Sequence, residues 1–224
     1  MPEVRAVLFD MDGLLLDTER MNIECVCQAA LEWGVKLQPE VIARRIMGTA
    51  RTQIVAAYQS LLPDRVDGAV FYQRKNELFA RRKQQDGIRP MKGAAELLHW
   101  LHEQNIACVL VTATVGETAE RQLKALGLWD QLPYRVTGDM PLPSKPDPAP
   151  YLRGAALAGV DPSECLVLED SFNGIQSGRA AGCMVGMVPD TLPYDETCAP
   201  YCDVVFHDLT EVTGWIAASA KDQG

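Results

Sequence analysis

No apolar run in the 224-residue sequence approaches the roughly 20 residues needed to cross a bilayer. A membrane-spanning protein is therefore not expected. The first apolar run follows an acid, Glu3, with no positively charged leader, so a secretory signal is not expected either. Positive charge is in deficit. Lys and Arg number 21 against 30 Asp and Glu, for a formal net charge of -9 and a pI of about 4.9. That balance gives no general attraction to nucleic acid or to an anionic membrane, and no feature points to an obligate protein partner. The seven cysteines form no Cys-x-x-Cys pair and no zinc spacing, which fits a reducing, cytoplasmic setting. Cys108, Cys165 and Cys183 lie in or beside apolar runs and read as small hydrophobes. Of three histidines, His99 and His102 sit three apart off the apolar stripe of a predicted helix, with no third ligand nearby, and read as solvated. There is no internal repeat. What remains is a hydrophobic content of 47% and a charged content of 23%, ordinary for a soluble globular protein of one large or two small domains.

The informative stretch is Val4 to Thr18. Val4 to Phe9 reads as a central parallel strand covered on both faces. It runs into two carboxylates, Asp10 and Asp12, and then Gly13. Open α/β sheets place their ligands at the carboxyl ends of strands. Two adjacent acids raise each other's cost of ionisation unless a cation or shared proton offsets it.

From Thr18, read as an N-cap, to Gly87 the pattern is helical. Four successive helices are predicted without an intervening strand, the fourth capped by Asp67 with Val70, Phe71, Leu78 and Phe79 on one face. This run is too long for a crossover helix and reads as an insert, 17–87, in an α/β core formed by 1–16 and 88–224. From Arg89 strand and helix alternate. Strands are predicted at Ile106–Thr112, Tyr134–Thr137, Cys165–Asp170, Cys183–Val188 and Val204–Phe206, with a last helix from about Leu209. The expected class is α/β, a doubly wound, mostly parallel Rossmann-like sheet with a four-helix insert. In such a sheet Asp10 and Asp12, Thr112, and Glu169 with Asp170 emerge along one edge. Lys145 joins them from a loop stiffened by four prolines, 141–148.

Asp10-Met11-Asp12-Gly13-Leu14-Leu15-Leu16-Asp17-Thr18 resembles the first signature of the haloacid dehalogenase superfamily, in its phosphatase and β-phosphoglucomutase-like branch. Thr112 after Val109-Leu110-Val111 resembles the second, Lys145-Pro146-Asp147-Pro148 the third, and Leu168-Glu169-Asp170-Ser171 the fourth, in the family's order and over nearly the whole chain. The helical insert falls where the family places its mobile cap.

The resemblance implies a nucleophile at Asp10 that forms an aspartyl-phosphate, and a general acid/base at Asp12. It implies Mg²⁺ held by Asp10, the backbone carbonyl of Asp12 and Asp170, with Glu169 acting through water. Lys145, Thr112 and the Ala113 backbone N–H would receive the phosphoryl oxygens of a small phosphorylated metabolite. Gly48-Thr49-Ala50-Arg51 resembles the cap segment that reaches the substrate, with Arg51 as the contact.

The expected activity is a Mg²⁺-dependent phosphatase of sugar or nucleoside-like phosphates. A sugar phosphomutase is the alternative, but mutase members carry histidine where this chain has Asn22. A phospho-receiver shares the Asp, Thr and Lys, yet has no helical insert. Dehalogenases lack the second acid, Asp12.

Overall fold

The computed structural model describes residues 3–46, 53–191 and 193–221. The chain forms two compact units, one of Met1–Leu16 with Pro90–Gly224 and one of Asp17–Arg89. Among the described residues no helix is long and apolar enough to cross a membrane.

The chain opens with β1 (Ala6–Phe9), all four residues fully buried. A strand covered on both faces gains nothing from alternating polarity, which accounts for its unbroken apolar sequence. Val4 and Arg5 precede it.

The described residues of the Asp17–Arg89 unit form α1 (Glu19–Glu32), α2 (Pro39–Ile46), α3 (Ile54–Gln59) and α4 (Gly68–Asp86). α1 and α4 pack against each other, each burying one stripe: Ile23, Val26 and Ala30 on α1, Phe71 and Leu78 on α4. Asp67 caps α4 as expected, its carboxylate accepting from the N–H groups of Ala69 (2.8 Å) and Val70 (3.0 Å). Thr18 occupies the residue before α1, but its side chain makes no cap bond, and its backbone is already in the right-handed helical region.

The stripe expected on α4 is partly wrong. Val70 is 56% exposed, and Lys75 is buried instead, at 6%. One turn of helix separates Phe71 from Lys75 and about another Lys75 from Leu78, so the lysine lies on the packed stripe. Its ammonium donates to Asn22 Oδ1 (2.9 Å) and stands over the Tyr72 and Phe79 rings at 5.4 and 5.6 Å. Burial pulls its pKa down from 10.5 to about 8, with Glu19 and Cys25 opposing.

The folded pKa lies below the unfolded one, so between about 8 and 10.5 the unfolded chain holds more protons and stability rises with pH. Below that window the cost of burying the charge is fully present. Lys75→Met is expected to stabilise the protein at pH 7 by about 1–3 kcal/mol and to flatten the rise between pH 8 and 10. Urea unfolding at pH 7 and 10 checks this; a stability gain of equal size at both would contradict it.

The other unit continues with α5 (Ala94–Glu103), β2 (Ala107–Val111), α6 (Gly116–Ala125), β3 (Tyr134–Val136), α7 (Ala149–Ala158), β4 (Cys165–Glu169), α8 (Phe172–Ala180), β5 (Met184–Met187), β6 (Val204–Val205) and α9 (Val212–Lys221). The final helix starts later than expected because Leu209–Glu211 forms a separate 3-10 turn capped by Asp208. All six strands are parallel, in the order β3-β2-β1-β4-β5-β6. The order reverses at β1, the position where such sheets open a crevice.

Alternate strand residues Ala6, Leu8, Val109, Val111, Val167 and Val185 share one core with Tyr151 and Ala155 of α7 and Ile175 of α8. The intervening residues, such as Val7, Phe9 and Leu110, point to the opposite face. On α5, which packs on β2 and α9, Leu97, Leu98 and Leu101 are buried. Cys108, Cys165 and Cys183 are buried free thiols, as their apolar settings suggested.

Where the chain crosses between the units it runs antiparallel to itself. Leu16 bridges Pro90, Met91 N–H donates to Leu15 O (2.9 Å), and Asp17 N–H donates to Arg89 O (2.9 Å).

Candidate active site

The strand register sets Phe9 beside both Leu110 and Leu168, so β1, β2 and β4 end abreast. The residues just past each strand therefore emerge at one edge. Asp10 is fixed there by its N–H bond to Leu168 O (3.1 Å), and Thr112 by its N–H bond to Val136 O (2.9 Å). Lys145 arrives from the proline-rich loop, which is anchored just beyond it through Asp147. The Asp147 carbonyl accepts from Ser177 Oγ (2.6 Å), and its carboxylate accepts from Ala149 N–H (2.9 Å).

The Lys145 ammonium has three N–H groups and three acceptors: Asp10 Oδ1 (2.6 Å), Glu169 Oε1 (2.5 Å) and Val111 O (2.9 Å). Its side chain is 11% exposed, that of Asp10 13% and that of Glu169 0%. Glu169 Oε1 also accepts from the Tyr151 hydroxyl (2.6 Å), and Oε2 from Ser171 Oγ (2.9 Å) and N–H (3.3 Å). The first turn of α8 presses on this carboxylate. A Cβ at Gly174 would stand 1.9–2.1 Å from its three atoms, so no other residue fits there unchanged.

Asp12 Oδ2 accepts from the Thr114 hydroxyl (2.7 Å), and Thr112 Oγ1 accepts from Thr114 N–H (3.0 Å). One threonine thus ties the second acid to the end of β2. Ala113 is exposed between them. Its carbonyl lies 1.9 Å from where a Cβ at Gly138 would be, a second close approach that requires glycine.

Burial pushes the Asp10 carboxyl up from 3.8 to about 7; Lys145 opposes the shift and Glu169 adds to it. Lys145 itself is held above its ordinary value, because attraction to Asp10 and Glu169 outweighs its burial. Burial and the neighbouring Glu169 raise Tyr151 well above 10, so it stays a donor. Two carboxylates and one ammonium leave the cluster with surplus negative charge in a poorly hydrated place. Ligand oxygens of Asp10, Glu169 and Asp170 lie within 4.8 Å of one another. An all-oxygen carboxylate set with a negative surplus fits a hard divalent cation such as Mg²⁺.

Of the residues singled out in the sequence, Asp10, Lys145, Glu169 and Asp170 come together. Asp12, Thr112 and Ala113 adjoin them at the same edge. Arg51 lies outside the described residues. Sequence reasoning missed Thr114, whose signal was a second hydroxyl two residues after Thr112, and Tyr151, which looked like any aromatic in an apolar helix.

The family model for haloacid dehalogenase-like hydrolases matches residues 7–188. Hexitol phosphatase A of Escherichia coli is 32% identical, over 93% of this chain and 93% of its own. A phosphorylated carbohydrates phosphatase of Thermotoga maritima is 31% identical over 80% of this chain and 82% of its own. Among solved structures, a haloacid dehalogenase family hydrolase from Deinococcus radiodurans, crystallised with phosphate and sodium, superposes with a TM-score of 0.82. It covers 98% of each chain at 23% identity, a likeness of fold. With the family model running from β1 to just past β5 and taking in the strand-end acids, the chain belongs to the haloacid dehalogenase-like hydrolases.

Proposed function

We propose that this hydrolase is a Mg²⁺-dependent phosphatase of small phosphomonoesters, sugar or nucleoside-like phosphates, acting through an aspartyl-phosphate on Asp10. The observation that carries it is the Asp10–Lys145–Glu169 cluster at the edge where β1, β2 and β4 end. Its phosphatase relatives support the reaction type, and two of them are named for phosphorylated sugars or sugar alcohols.

An oxygen of Asp10 attacks phosphorus as the ester P–O bond breaks, and Asp12 gives its proton to the departing alkoxide. Asp12 then takes a proton from water as the water oxygen bonds to phosphorus, and the P–O bond to Asp10 breaks to release phosphate. Thr114 holds one oxygen of Asp12 throughout, which fixes the direction of both transfers. Lys145, the Thr112 hydroxyl and the Ala113 N–H oppose the phosphoryl charge. Bound by Asp10, the Asp12 carbonyl and Asp170, Mg²⁺ would supply the cationic charge that a dianion beside three carboxylates requires. Glu169, with two donors already on each oxygen, would act through water.

Asn22 weighs against the mutase alternative. Its side-chain oxygen accepts from the buried Lys75, and an amide neither gives nor takes a proton near neutral pH as histidine does.

The test is phosphate release from a panel of hexitol, hexose and nucleoside monophosphates, with and without Mg²⁺. Release that requires the metal is expected. Isomerisation of a sugar phosphate without net phosphate release would transfer the assignment to a mutase.

A further inference from the structure

We infer that Tyr151 is a positioning residue: its hydroxyl sets the buried Glu169 carboxylate so that Lys145 is held at a fixed place beside Asp10. The kinetic part of this inference rests on the proposed phosphatase activity. Glu169 is enclosed by the first turn of α8, where Gly174 leaves no room for a Cβ, and Ser171 fixes Oε2 with two donors. Oε1 has two partners among the described residues, Tyr151 and Lys145. Lys145 is the group being placed, so the tie between Oε1 and the protein frame is the tyrosine.

Tyr151 is suited to that task. It is fully buried on α7 in the core against the sheet, and its ring lies 4.8 Å from the Lys145 nitrogen. A rigid relay results, from α7 through the phenol and Glu169 Oε1 to the ammonium and Asp10. When a phosphoryl oxygen takes the place of Asp10 as an acceptor, Lys145 keeps its bonds to Glu169 and Val111 O and turns its third N–H to the substrate. A lysine that wanders loses more in the transition state, where phosphoryl charge is changing, than in substrate binding.

The experiment is Tyr151→Phe in the full chain, which keeps the ring and removes the hydroxyl. With Mg²⁺ and the best ester of the panel, kcat is expected to fall about tenfold with KM within about twofold. In metal-free protein, the ¹H–¹⁵N signal of the Lys145 ammonium, assigned by its loss in Lys145→Arg, is expected to exchange with water about tenfold faster or more. Unchanged kcat with unchanged exchange overturns the inference, even if the melting temperature falls, because that is the pattern of a residue that only packs. If the wild type releases phosphate from no ester, the phosphatase proposal fails, and the exchange measurement still decides the role of Tyr151.

Discussion

Asp10→Asn is expected to reduce phosphate release by about 10⁴-fold or more and, at the same time, to make the metal-free protein more stable. The two effects share a cause. An amide cannot form an acyl phosphate, so the first displacement has no nucleophile. The carboxylate it replaces is one of two negative charges facing a single ammonium, and burial raises its pKa to about 7. With the folded value above the unfolded 3.8, the folded state holds more protons between about pH 4 and 7, so stability falls as pH rises through that window. Above it the full cost is present, on the order of 1–4 kcal/mol after allowance for residual exposure. The asparagine variant lacks this slope, and Lys145 and Glu169 remain as a balanced pair. Its melting temperature at pH 8 without metal should exceed that of wild type by about 3–8 °C, and the difference should vanish near pH 4. Calorimetry at the two pH values tests this; a variant that melts lower at pH 8 would show that Asp10 is held mainly by attraction to Lys145.

Lys145→Met is expected to cost about 10³-fold in activity and about 3–5 kcal/mol in stability at pH 8. Removing the ammonium leaves Asp10 and Glu169 close together with no cation, the costly way to disrupt a buried ion pair. Glu169 keeps Tyr151 and Ser171 as donors, whereas Asp10 loses its one side-chain donor among the described residues. The orphaned Asp10 carboxylate, already raised by burial, is favoured in its neutral form, so the folded variant binds protons more readily than the unfolded chain. The stability loss should therefore shrink as pH falls from 8 to 5. Urea denaturation at both values checks this; an equal loss at each would mean that packing of the lysine stem, and not its charge, holds the cluster.

The residues in these variants were legible in the sequence for a physical reason. Each sits where an apolar strand stops or a proline-rich loop narrows, and charged groups at such places contrast with what precedes them. Asp10, Glu169 and Asp170 stand out against the Val4–Phe9 and Cys165–Leu168 runs, as Thr112 does after Val111. The parallel sheet was legible too, because strands covered on both faces are unbroken in their apolarity. Residues that serve the site from within the core gave no such contrast. Tyr151 lies in the run Ala149 to Leu152 and has the composition of packing, although its hydroxyl is spent on Glu169. Gly174 matters for a side chain it lacks, and that shows once Glu169 is seen against it. Lys75 was obscured by periodicity: a charged residue one turn after Phe71 looks like the solvated flank of the stripe, and it is Val70 that faces water.

The paired crossings at Leu15–Asp17 and Arg89–Met91 bear on how such a protein changes over evolutionary time. The chain departs and returns through adjacent, hydrogen-bonded residues, so the ends of the excursion are already about as close as the ends of a hairpin turn. Whatever lies beyond them can lengthen, shorten or be exchanged for another segment without moving β1 or the residues after Pro90, because loop closure at a fixed narrow gap grows only slowly more costly with length. The crossing acts as a graft junction. It lets the inserted segment vary while the strand-end acids stay in register.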